Sequence, residues 1–250
     1  MHKKHPRVEK STNENAKIWR YLDFAKFVSL LDRQALFFCR ADKLSDPFEG
    51  SFSKANLELR PESYERMPKP AQEMMDKRCD PSLKEMKNVT CINCWHINEY
   101  ESAAMWKLYL KSKEGIAVQS TWKRLRESFN ERDEIYIGKV KYTDYRDEVV
   151  REEHPIFPFF HKRKSFEYER ELRAAIQRVP MPFAQREIDK TGQEIGDGKY
   201  VSVDLDVLIK KIFVSPKAPK WFRELVRSVV GRYNVSKEVS QSSLSSDPIY

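Results

Sequence analysis

Glycine is scarce in this chain. It holds 7 glycines in 250 residues, against roughly 7% in average proteins. Catalysis that cradles phosphates in glycine-rich loops therefore has little to work with. Neither a dinucleotide-binding fingerprint nor a P-loop is present, and Gly196-Asp197-Gly198 reads as a turn. The pattern argues against a kinase, a P-loop NTPase or a Rossmann dehydrogenase. At 40% hydrophobic and 34% charged residues, the chain can bury a core. No run approaches the ~20 apolar residues of a membrane span, and no apolar stretch follows Met1, so no membrane contact and a cytoplasmic location are expected. Cys39, Cys79, Cys91 and Cys94 are then expected to be reduced thiols. The net charge of +8 favours polyanions without identifying one.

The hydrophobic pattern predicts an α+β fold. Residues 1–16 read as a flexible basic arm and 236–250 as a serine-rich flexible tail, leaving one domain over 17–235. Strands are expected at 18–22, 35–39, 89–96, 116–119, 135–142, 166–177, 200–203 and 212–214. Helices are expected at 24–33 behind an Asp23 cap, at 102–111 burying Met105, Leu108 and Tyr109, at 122–129, and at 219–233. In the last of these Trp221, Phe222, Leu225, Val226 and Val229 are read as inward. Residues 54–88, with prolines at 61, 68, 70 and 81, read as a helical insertion. Many short strands with interspersed helices exclude an alternating parallel array.

Chemistry concentrates in a few places. If 166–173 is extended, Glu167, Glu169, Glu171 and Arg173 share one face. A row of carboxylates repels itself, so it suits a site that stabilises positive charge or binds hydroxyls; the competing reading is a solvent-exposed face balanced by Lys162, Lys164, Arg170 and Arg173. Arg20 interrupts the apolar strand Trp19-Arg20-Tyr21, where it can fork onto a phosphate or lie on a surface edge. Asp46-Pro47 starts a turn, with Glu49 close by. Trp106 and Tyr109 have the flat face and polar tip of pocket-lining residues. Cys91-Ile92-Asn93-Cys94 has a zinc-like spacing, but on a strand its two cysteines point to opposite faces.

Leu44-x-Asp46-Pro47-Phe48-Glu49, Met105-Trp106-x-x-Tyr109, Gly115-Ile116-Ala117-Val118, Tyr168-Glu169-x-Glu171-x-Arg173 and Ile212-Phe213-Val214-Ser215-Pro216 together resemble a bacterial family, domain-of-unknown-function family 2971, over about residues 18–230. More distantly, the layout is similar to the ADP-ribosyltransferase fold. That resemblance implies short, mostly antiparallel strands in two packed sheets flanked by helices, and NAD as co-substrate without a metal. It implies Glu171 and Glu169 as catalytic carboxylates, with the counterpart of the key glutamate open between them. It further implies Arg20, Tyr21, Trp106 and Tyr109 around NAD, with Asp46, Glu49 and Arg173 toward the substrate. The middle Ser-Thr-Ser motif of that fold is absent. The implied role is a toxin or phage-defence effector. A nucleic-acid acceptor is favoured over a protein one, with a neutralising antitoxin as partner. A non-catalytic nucleic-acid-binding module and a metal-dependent nuclease are the alternatives.

Overall fold

The computed structural model describes residues 13–64, 69, 85–110, 113–130, 134–150, 154–178, 196–246 and 248. Residues 1–12 of the expected arm, and Pro68, Pro70, Cys79 and Pro81 of the expected insertion, lie outside them. Eleven strands are seen among the described residues: β1 (Lys17–Asp23), β2 (Ala35–Arg40), β3 (Thr90–Ile97), β4 (Gly115–Thr121), β5 (Tyr136–Lys139), β6 (Lys141–Thr143), β7 (His161–Arg163), β8 (Glu171–Gln177), β9 (Gly198–Ser202), β10 (Lys211–Val214) and β11 (Val239–Gln241). The helices are α1 (Phe24–Arg33), α2 (Lys54–Tyr64), α3 (Ala103–Tyr109), α4 (Trp122–Glu127), α5 (Leu205–Leu208) and α6 (Lys220–Arg232). No helix of the described residues is long and apolar enough to cross a membrane.

Nine strands form one large sheet, with the order β11-β10-β4-β1-β3-β2-β9, and β8 joins β3 to β5. β6 and β7 make a separate parallel pair. The expected two packed sheets are therefore one large sheet and a small ribbon. The large sheet is antiparallel except where β10 meets β11.

β3 organises the site. One of its edges pairs with β8 from Thr90↔Gln177 to His96↔Glu171. Its other edge is shared: β2 takes the start, at Cys39↔Ile92, and β1 the end, at Trp19↔His96. Between β1 and β2 the sheet forks. Buried backbone groups need partners, and side chains supply them here. Arg20 Nη1 donates to the Cys94 carbonyl at 2.8 Å, and Asn93 Nδ2 donates to the Phe37 carbonyl at 2.8 Å.

Alternation puts Ile18, Leu36, Trp95, Leu172 and Ala174 in the main core, with Phe27 and Leu31 of α1 and Phe222, Val226 and Val230 of α6. The opposite face carries two smaller clusters. One is Ile92, Tyr136, Ile156, Phe157, Phe159 and Ala175; the other is Trp19, Tyr21, Met105, Trp106 and Ala117. α1 begins as expected, with the Asp23 carboxylate accepting from Lys26 N at 2.8 Å.

Three sequence expectations are corrected. Trp221 and Leu225 are exposed because α6 buries the 222/226/230 row, and a neighbour one position along is rotated by about 100°. Leu108 is exposed for the same reason on α3. The stretch read as a flexible tail enters the sheet: Val239 is buried in the main core and pairs with Ile212, and Gln241 Nε2 donates to the Ser215 carbonyl at 2.6 Å.

Candidate active site

A cavity of about 610 Å³ opens at the fork, between β1, β2 and β3. Such a volume is within the usual range of ligand sites. Its wall includes Arg20, Tyr21, Cys94, His96, Tyr109, Glu169 and Glu171, with Phe37 and Tyr200 at another part of the lining.

The two glutamates reach it by a bend. The strand expected from residue 166 begins later: residues 164–169 form a 3-10 helix, and Arg170 turns the chain with a left-handed φ of 42°. That conformation is uncommon for a residue with a β-carbon. The strand starts only at Glu171, so Glu167 does not join the row. Glu169 and Glu171 do come together. Arg173 follows on the same face, opposite Cys94.

Behind the cavity wall these carboxylates meet buried cations. Lys162 Nζ lies 2.5 Å from Glu169 Oε2, 3.0 Å from Glu171 Oε1 and 3.4 Å from Glu49 Oε1. Arg173, fully buried, donates from Nε to Glu171 Oε2 at 2.6 Å, from Nη2 to Glu49 Oε1 at 3.0 Å and from Nη1 to the Phe159 carbonyl at 2.7 Å. Tyr142 accepts a hydrogen bond from the Glu171 amide at 2.8 Å.

The environment drives the two glutamates apart. For Glu169, burial together with the hydrogen bond and charge of Glu171 pushes the carboxyl up to about 7. For Glu171, burial acts upward but is outweighed by Arg173, by the hydrogen bond from Glu169 and by Lys162, so the carboxyl is held far below its ordinary range. Two neighbouring carboxyls with opposite shifts are the arrangement that separates an ionised stabiliser from a proton carrier.

Arg20 is half-buried, with its guanidinium 6.0 Å from the Trp95 ring. Among the described residues no carboxylate pairs with it. One of its five N–H donors goes to the Cys94 carbonyl. Tyr21 accepts from Ser102 N at 2.9 Å, at the start of α3, and burial pushes its hydroxyl up to about 12. Tyr109 is half exposed at the cavity, and burial raises its hydroxyl further.

Four expected contacts are not in the cavity lining. Trp106 is buried, edge-on to Tyr21 with ring centroids 5.0 Å apart, and its Nε1 donates to Glu101 at 3.1 Å. Asp46 is buried against Arg163 at 2.9 Å and caps its own turn through Phe48 N. Glu49 and Arg173 are committed to each other. These groups hold the site from behind.

The sequence reasoning missed His96 and Lys162. His96 faces Glu171 across the strand pair and lines the cavity. Its Nδ1 is 2.6 Å from the Glu169 carbonyl, and its buried Nε2 has no hydrogen-bond partner among the described residues. Burial and the nearby Arg170 lower its pKa, against the pull of the Glu169 carbonyl, which favours the neutral ring. The Cys91–Cys94 spacing belongs to a strand with each thiol packed in a different cluster. Among the described residues no group of three or more His, Cys, Asp or Glu is arranged to hold a metal ion. A binding module with idle glutamates predicts internal pairing and no pocket; here the glutamates pair internally and also line the cavity.

No protein-family model matches the chain, and no curated protein sequence does. Among solved structures, it is similar to DarT of Thermus sp. 2.9 in complex with NAD+, at 8% identity and a TM-score of 0.41, covering 94% of this chain and 99% of that one. The same DarT in complex with carba-NAD+ gives 7% identity and a TM-score of 0.38, covering 94% of this chain and 100% of that one. At TM-scores this low, the site is read from its own geometry.

Proposed function

We propose that this protein is an NAD-dependent ADP-ribosyltransferase. The observation that carries the reading is the Glu169–Glu171 pair, oppositely shifted, on the wall of a cavity of about 610 Å³ that also holds Arg20.

The transfer breaks the bond between the ribose anomeric carbon and the nicotinamide nitrogen. Nicotinamide leaves as a neutral molecule with the bonding electron pair, and positive charge grows on the sugar. Ionised Glu171 stabilises that charge, as carboxylates do at glycosidic centres. Its position is fixed, so little reorganisation opposes it. Glu169 accepts the proton of the acceptor nucleophile as the new glycosidic bond forms. The overall balance is NAD+ plus acceptor–H giving ADP-ribosyl acceptor, nicotinamide and a proton. Arg20 offers its remaining N–H donors to a phosphate or ribose edge. Tyr21 and Tyr109 supply flat walls for the nicotinamide.

The acceptor in this reading is a nucleic acid, RNA or DNA, ahead of a protein side chain. What supports it is the net charge of +8, which favours phosphate backbones. The biological role is that of a toxin or phage-defence effector working in the cytoplasm, kept silent in its own cell by a neutralising partner.

The test uses NAD labelled in its adenylate half. The purified protein and a Glu171→Gln variant are incubated with it and with total RNA, DNA and lysate protein. The reading expects label on a nucleic acid, lost in the variant. Label on protein would correct the acceptor. No transfer and no nicotinamide release from folded protein would overturn the reading.

A further inference from the structure

The Lys162 ammonium lies under both glutamates and outside the cavity lining. We propose that Lys162 is the positioning residue of the site, gripping one oxygen of each glutamate from behind the wall and so setting how readily Glu169, which Arg173 does not reach, gives up its proton. This deepens the transferase reading and rests on it for its catalytic consequence.

The geometry is specific. Lys162 is buried at the centre of three carboxylates, those of Glu49, Glu169 and Glu171. Arg173 serves Glu49 and Glu171 and forms no ion pair with Glu169. Glu169 therefore has Lys162 as its cation, whereas Glu171 has two. Among the described residues three carboxylates meet two cations here, so one negative charge is in excess, and the least supported carboxylate takes the proton. The loop motif ending in Glu49 finds its use here. Glu49 draws part of the charge of Lys162 and Arg173 away from the other two carboxylates.

The groups facing this cluster come from several elements. Glu49 is on the loop after β2, Cys94 and His96 on β3, Tyr109 on α3 and Tyr142 on β6. Glu169 is in the 3-10 turn, with Glu171 and Arg173 on β8. The Phe166 ring lies 4.8 Å from the Lys162 ammonium and leaves its charge in place.

Two variants should move the Glu169 titration in opposite directions. Lys162→Met removes its cation and raises its midpoint by roughly 1–3 pH units. Glu49→Gln removes a competing anion and lowers it. The free protein, labelled with carbon-13 at the glutamate carboxyls, is titrated by NMR, with Glu169→Gln assigning the signal. In parallel, the acid limb of nicotinamide release shifts in the same directions, with the KM for NAD within about threefold. If Lys162→Met fails to fold, Lys162→Arg and Glu49→Gln carry the test: the first leaves the midpoint within about half a unit, the second lowers it. Unmoved midpoints, or shifts of the same sign in Lys162→Met and Glu49→Gln, overturn the proposal. The NMR titration needs no substrate, so a protein inactive on NAD would sink the transferase reading while leaving the placement of Lys162 to be judged on its own.

Discussion

Replacing Arg173 by Met leaves most of the side-chain volume and removes the charge. Arg173 is fully buried, with the Glu171 and Glu49 carboxylates and the Phe159 carbonyl as partners. Breaking a buried pair on one side costs about 3–5 kcal/mol, because the partner stays buried and uncompensated. Lys162 still touches both carboxylates, so the lower end, about 3 kcal/mol, applies at pH 8. At about 2–4 °C per kcal/mol for a chain of this size, the melting temperature falls by about 6–12 °C. The loss depends on pH. In the intact protein the Glu171 carboxyl is depressed, so its stabilising contribution is present above the ordinary carboxylate range and lost as pH falls through the folded value. Without Arg173 the carboxyl rises and can take a proton, and the penalty shrinks between pH 8 and pH 5. Thermal melts of wild type, Arg173→Met and Arg173→Lys over that range check this. The lysine variant, keeping a charge, recovers part of the loss at pH 8. A fall that is the same at pH 5 and pH 8, or smaller than about 2 °C, would refute the reasoning.

Two further outcomes are expected. Nicotinamide release rises with pH through about 7 as Glu169 loses its proton, and in Glu169→Gln the surviving activity lacks that limb; a wild-type profile flat from pH 5.5 to 8.5 removes the role of Glu169 as base. Ending the chain at residue 238 deletes β11 with buried Val239 and lowers stability by about 2–3 kcal/mol; a melting temperature equal to that of the full chain would show that β11 contributes nothing.

Local signals read well where local physics decides. Asp23 and Ser102 cap their helices, and the short strands fall near their expected positions, because caps and period-two alternation are properties of a few adjacent residues. The closeness of Glu169 and Glu171 was legible as an alternation, although half of it arises from a 3-10 turn and a left-handed Arg170. What was not legible depended on distant pairing. Nothing near Lys162 in the chain announces that its ammonium will meet Glu49 from a loop more than 100 residues earlier. Trp106 is outside the cavity lining because the rotation of α3 against β1, with Tyr21 and Met105 packed beside it, turns the indole into the core. His96 carries no local signal of a site, and its place beside Glu171 follows from strand register. The serine-rich end looked like a tail because three residues of strand carry too few apolar positions to show a period.

The central claim is that ionised Glu171 helps cleave NAD at this cavity. The most direct measurement is chromatographic quantification of nicotinamide released from NAD by wild type and by Glu171→Gln, each with total nucleic acid present. The account predicts release by the wild type and a loss of about 100-fold or more in the variant, with NAD still bound by both. Equal release from the two proteins, or none from a folded wild type, would contradict it.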